Sequence, residues 1–185
     1  MAEGKRPHRL KLMSEIDDGR TPDTLNDVGV LKRREIEARI VAPLLARLGE
    51  EFGAERVYEL AREVVVDVAK TQGSELAAQL GGNDLAHFAD SMDNWTKGGA
   101  LQIEVVEQVD GIFAFNVTRC RYAEMYRDLG LADLGAALSC NRDGTMVEGF
   151  NPNIEFTRTQ TIMSGATHCD FVYRLPASGE TPVEL

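Results

Sequence analysis

Three cysteines, Cys120, Cys140 and Cys169, are the whole thiol complement of this 185-residue chain, and each stands among polar neighbours: Arg119-Cys120-Arg121, Cys140-Asn141-Arg142-Asp143 and His168-Cys169-Asp170-Phe171. An odd number of thiols cannot all pair within one chain. The opening MAEGKRPHRLKLMSEIDDGRTPD carries basic residues but no apolar stretch of a secretory leader, so a cytoplasmic setting is expected and a disulfide framework is not. Packing, metal ligation and nucleophilic chemistry remain as uses for the three thiols.

Each use has a specific pattern behind it. Cys120 falls where a strand should give way to a helix, and unpaired amides at a helix N-terminus, with Arg119 and Arg121 alongside, favour a thiolate. Cys140 precedes the turn-forming run Asn141-Arg142-Asp143-Gly144, which places it at the end of an element. Around Cys169 the strand alternation puts Cys169, Phe171, Tyr173 and Leu175 on one face and His168, Asp170, Val172 and Arg174 on the other. Cys169 therefore has a packing alternative as a small hydrophobe, while His168 and Asp170 share a face on which a carboxylate can orient an imidazole for acid–base work. As metal ligands the trio is spaced by 20 and then 29 positions, matching no short paired-cysteine motif. Convergence in space would still let the three thiols, with His168, His87 or an open position, hold zinc or an iron–sulfur cluster with one iron free for substrate.

The elements that must position these residues can be read from composition and period. Acidic residues outnumber basic ones by 30 to 20, a net charge of −10 that opposes binding to nucleic acid or to anionic membrane surfaces and favours a small-molecule or protein partner. No apolar run approaches the roughly 20 residues of a membrane span. Residues 1–27 lack either hydrophobic period and are expected to be a mobile arm; residues 28–185 are expected to form one domain. From Val28 a helical period runs through Ile36, Ile40, Val41, Leu44, Leu45 and Leu48 to a stop at Gly53, with Pro43 predicting a kink or a break. A second helix carries Val57, Leu60, Ala61, Val64, Val65 and Val68, and the chain beyond it is punctuated by Gly73 and Gly81-Gly82. Asn83 is positioned to cap a third segment from Asp84 to Trp95. After Lys97-Gly98-Gly99 the period becomes two: a hairpin turns at Asp110-Gly111, its second arm ending near Arg119. Short helices come next, around Tyr122–Leu129 and Leu134–Leu138. A second hairpin is expected from Ile154–Ile162 and His168–Leu175, joined through Ser164-Gly165. The predicted class is α+β: N-terminal helices packed on an antiparallel sheet of two hairpins with short helices inserted.

Other motifs give less. Gly81-Gly82-Asn83 and Lys97-Gly98-Gly99 lack the phosphate-loop and dinucleotide patterns, Lys32-Arg33-Arg34 beside Glu35 and Glu37 reads as a solvated helix face, and His8 and His87 have no partner nearby in sequence.

Taken together, GVLKRREIEARIVAPLLARLGEEFG, CRYAEMYRDLG, SCNRDG and GATHCDF, in this order between about Val28 and Leu175, resemble the L-2-amino-thiazoline-4-carboxylic acid hydrolase family. The resemblance implies hydrolytic opening of a five-membered cyclic amidine to an N-carbamoyl amino acid. It implies proton transfer by Asp170 or His168, amidine recognition by Asp143, and carboxylate binding by Arg158 or Arg119 through a two-pronged guanidinium contact. Two mechanisms stay open for the cysteines: covalent attack by a Cys120 thiolate, or a metal held by Cys120, Cys140 and Cys169 that activates water. The competing class is a sensor domain that binds a small ligand or a metal cluster without turnover, and a third is a structural subunit of a larger assembly. A homodimer is expected only from the general prevalence of twofold assemblies.

Overall fold

The computed structural model describes residues 28–176, so the arm expected over residues 1–27, with His8, lies outside the described residues. The α+β reading holds: a helical hairpin and short helices precede and flank a four-stranded antiparallel sheet.

Helix α1 (Val30–Phe52) and helix α2 (Ala54–Leu80) join at Gly53, whose φ of 91° reverses the chain between them. Pro43 does not divide α1 into two pieces. It faces solvent, where the carbonyl left without an amide partner can meet water. The inward stripe of α1 is Val30, Arg34, Ala38 and Leu45, whereas Ile36, Ile40 and Leu44, expected on the apolar face, are exposed, as are Leu60 and Val64 of α2. The chain supplies more apolar residues here than one face of a helical pair can cover.

Gly73, expected as a break, lies inside α2. It marks a point of close approach instead: a Cβ there would stand 2.7 Å from the amide nitrogen of Phe150, and one on Gly149 would stand 2.7 Å from the carbonyl carbon of Lys70. These two glycines let α2 lie directly on helix α7 (Arg142–Phe150). Lys70 to Glu148 at 2.7 Å and Ser74 Oγ to the carbonyl of Gly149 at 2.9 Å fasten the contact.

Between them run α3 (Leu85–Asp90), α4 (Asp93–Thr96), the hairpin β1 (Leu101–Val109) and β2 (Ile112–Cys120), α5 (Arg121–Asp128) and α6 (Ala132–Gly135), then a π-helical turn over Ala136–Cys140. The cap of α3 is Asp84 rather than Asn83; its carboxylate accepts from the amide of His87 at 2.9 Å and meets the ring Nδ1 at 2.7 Å, so His87 does have a partner. Asn141-Arg142-Asp143-Gly144 is not a turn but leads directly into α7, with Gly144 making room for the Phe156 ring.

The second hairpin is shorter than its sequence suggested. Strand β3 is only Glu155–Thr157, pairing antiparallel with β4 (Cys169–Arg174), and residues 158–168 form a loop. The sheet order is β1-β2-β4-β3, with β2 on β4 in the register Phe115 opposite Phe171 and Val117 opposite Cys169. The Phe115 and Phe171 rings stack with centroids 4.9 Å apart. One core lies between this sheet face and α3 and α7; a second, around Ala38, Tyr126 and Met163, lies between the helical hairpin and α5–α6.

Replacing Gly73 by Ala forces a methyl group into backbone that cannot rotate away. It is expected to cost about 1–3 kcal/mol, read as a lowered urea midpoint; an unchanged midpoint would mean that α2 and α7 are not in this contact.

Candidate functional site

A cavity of about 180 Å3 opens between the helical layer and the sheet. The first turn of α1, the C-terminal third of α2, the inner faces of β2 and β4, the π-helical turn and the start of α7 all line it. That volume is below the roughly 300–1,000 Å3 of sites for drug-sized ligands, and suits a single small ring.

All three cysteines border this cavity, and Cys120 touches both main cores. Cys120 caps α5, its sulfur accepting from the amide of Ala123 at 3.4 Å, as a helix-start thiolate would require. Burial overrides that help and pushes the Cys120 thiol up to about 11. Burial, and next the Asp143 charge, push the Cys140 thiol up to about 12. Burial also raises Cys169, although the amide of Ile162 donates to its sulfur at 3.1 Å. The expected low-pKa Cys120 thiolate is therefore corrected: the capping geometry is present, and all three groups are thiols at neutral pH.

Asp143 and Arg158 also line the cavity, where the Arg158 guanidinium donates to the Asp143 carboxylate and, at 3.1 Å, to the carbonyl of Cys140. Its guanidinium carbon stands 5.3 Å from the centroid of the Phe171 ring. The Asp143 side chain is half-buried, keeping 35% of its surface accessible, and it lines the cavity. Burial raises its carboxyl to about 6, outweighing the pull of Arg158 in the other direction.

Three other candidates stand away from this cavity. Arg119 lies on the surface, with Nε and Nη2 donating to Glu124 at 2.7 and 3.1 Å. His168 is bonded to Gln160 at 2.8 Å. Asp170 ties down the loop before β4, accepting from the amides of Thr159 and Gln160 at 3.0 and 2.8 Å and from the Thr159 hydroxyl at 2.5 Å. Burial acts to raise its carboxyl, but those donors prevail and hold it below the ordinary carboxylate range.

The sequence reading missed the arginines. Arg33, Arg34 and Arg142 line the cavity, and Arg34, read as part of a solvated face, is buried at 6% exposure with Nη1 donating to Glu37 at 2.7 and 2.5 Å. The available signal was period: Arg34 lies four residues from both Val30 and Ala38, on the inward stripe. Arg142 donates to the side-chain oxygen of Gln72, and burial, with the like charge of Arg34 second, lowers it to about 10.

The donors do not fit a metal. Among the described residues no three His, Cys, Asp or Glu side chains are grouped so that they could hold a metal ion, so the expected zinc or iron–sulfur centre on Cys120, Cys140 and Cys169 is not matched by their arrangement. Among these residues no helix is long and apolar enough to cross a membrane.

Fold and cavity define a small α+β protein with a partly open site that is aromatic on the sheet side and rich in arginine on the helical side. The chain belongs to the L-2-amino-thiazoline-4-carboxylic acid hydrolase family, whose sequence model matches residues 33–173. No curated protein matches it in sequence. Among solved structures it is similar to the phenol-responsive sensory domain of the transcription activator PoxR with phenol, at 11% identity over 73% of this chain and 72% of that one, with a TM-score of 0.46. It is also similar to trafficking protein particle complex subunit 3 from Naegleria fowleri covalently bound to palmitic acid, at 9% identity over 78% of this chain and 96% of that one, with a TM-score of 0.47.

Thiol alkylation checks the protonation states. At pH 8 iodoacetamide is expected to modify Cys120 and Cys140 of the folded protein about a hundredfold or more slowly than in urea, because the thiolate fraction falls tenfold for each unit by which the pKa rises; fast native labelling would contradict it.

Proposed function

We propose that the protein is a hydrolase that opens a small cyclic amidine bearing a carboxylate, 2-aminothiazoline-4-carboxylate being the compound for which its family is named. The observation that carries this reading is Asp143: a carboxyl with a pKa of about 6, inside a ring-sized cavity, oriented by Arg158. Such a group can both take and return a proton near neutral pH.

An amidine is basic enough to arrive protonated, which makes the carbon between nitrogen and sulfur electrophilic. Water adds there as the Asp143 carboxylate takes one of its protons. The tetrahedral adduct then breaks its carbon–sulfur bond, Asp143 returns that proton to the departing sulfur, and the carbonyl forms as the proton brought by the amidinium is released. The products are a free thiol and an N-carbamoyl group. Arg158 keeps the carboxylate aimed, and the stacked Phe115 and Phe171 rings give the ring-binding side an apolar wall. Direct attack by water suits these residues better than a Cys120 thiolate, since burial holds that thiol protonated.

Asp143→Asn is expected to lower kcat by about 10²–10⁴, measured by coupling the released thiol to a chromogenic disulfide. The wild-type rate should climb with pH through about 6 and then level off, because the carboxylate form that accepts the proton accumulates above that value. Cys120→Ser should keep activity within about tenfold, against the far larger loss that removal of a covalent nucleophile brings. Full activity in Asp143→Asn, or loss of turnover in a folded Cys120→Ser, would overturn this mechanism.

A further inference from the structure

Four arginines line the cavity, and they divide into two kinds. Arg158 is neutralised by Asp143, and Arg34 by Glu37. Arg33 and Arg142 have no carboxylate partner among the described residues. The Nε of Arg33 is buried and makes no hydrogen bond with any described residue, and the side-chain bond of Arg142 goes to the neutral amide of Gln72. Both side chains are half-buried; a guanidinium donor enclosed without an acceptor is costly, and the group's fixed fork of donors matches a carboxylate. Glu75 is the one further acidic side chain on the lining, and it pairs with neither arginine. Counting Arg33 and Arg142 against Glu75, and treating the two ion pairs as neutral, leaves an excess of one positive charge.

The geometry points to Arg33 and Arg142, with Gln72 holding Arg142 in place, as the receptor for a monoanionic carboxylate on the ligand. This assignment rests on the hydrolase reading for the rest of the ligand, and it moves carboxylate recognition from Arg158 and Arg119 to residues on α1 and α7. Arg158 is already committed to Asp143, and Arg119 to Glu124 on the surface. Because Arg142 and Asp143 are consecutive at the start of α7, one rigid turn would set the distance between the anchored carboxylate and the proton-transfer group. A substrate whose carboxylate and reacting carbon belong to the same small ring fits that arrangement. Arg33 comes from a different element, the first turn of α1, so the anion would bridge the helical hairpin and α7.

Trp95, the chain's single tryptophan, lines the same cavity and reports occupancy without requiring turnover. Titrations monitored by its fluorescence would compare 2-aminothiazoline-4-carboxylate, its neutral methyl ester and inorganic phosphate, in the wild type and in Asp143→Asn so that the ligand survives. The carboxylate is expected to bind about ten- to a hundredfold more tightly than the ester, the range for charge-assisted hydrogen bonds. In Arg142→Gln and Arg33→Gln that preference should shrink to a few-fold while ester binding is unchanged. Arg142→Gln should also leave the thermal midpoint unchanged or higher, since it removes an uncompensated charge beside Arg34; a purely structural Arg142 would lower it. Equal binding of acid and ester by the wild type, or tighter binding of phosphate than of the carboxylate, would overturn the proposal. So would a full acid preference in both variants. Preferential binding of the acid without ring opening by the wild type would keep the receptor and sink the hydrolase reading; ring opening of acid and ester at equal efficiency would do the reverse.

Discussion

The contact between α2 and α7 is the constraint on which the site depends. Gly73 and Gly149 remove the side chains that would hold the two helices at the usual 8–10 Å separation, so α7 lies against α2 backbone to backbone. That approach brings the first turn of α7, with Arg142 and Asp143, under the α1–α2 hairpin and over the inner face of β2 and β4. A wider spacing would open the cavity to solvent, and the electrostatics that distinguish it would relax toward ordinary surface values.

Desolvation, more than pairing, decides the charge state of the groups around the cavity. Cys120 has the helix-start amide that normally favours a thiolate, and Asp143 has a guanidinium partner, yet burial prevails in both and moves each toward its neutral form. Arg142 moves the same way, down to about 10, but remains charged at neutral pH. The result is a site with protonated sulfurs, one carboxyl able to change state near neutrality and permanently charged guanidinium groups. That division of labour suits a reaction in which protons move while an anionic end of the ligand stays fixed.

Much of the fold was legible because its signals are local. The switch from helical to alternating period after Gly99, the Asp110-Gly111 turn and the change from strand to helix at Cys120 are all where the residues place them. Gathering of the cysteine-bearing segments around one cavity was suggested by their place in the blocks that carry the family resemblance, not by their spacing, which matches no paired motif. What sequence could not give was the environment. His168 and Asp170 were expected on one strand face with the right chemistry, yet His168 ends the loop before β4, and Asp170 anchors that loop and does not line the cavity. Gly73 looked like a helix end because glycine has two unrelated uses, chain reversal and close packing, and only the tertiary contact separates them. Arg34 was misjudged for the converse reason: a charged residue on an inward stripe was assigned by its charge and not by its position.

Two aspartates on this scaffold illustrate why a hydrolase is preferred to a module that merely holds a ligand. Asp170 receives two backbone amides and a hydroxyl, which is how a fold treats a carboxylate whose task is structural: it is supplied with donors until ionisation is favoured. Asp143 has Arg158 as its partner and no amide donors of that kind among the described residues, and desolvation raises its carboxyl toward the point of protonation. A binding pocket for an anion gains nothing from such a group, since a carboxylate there repels the ligand and a neutral amide would orient Arg158 as well. A cavity in which water must lose a proton, and a departing sulfur must gain one, has a use for a carboxyl that does both.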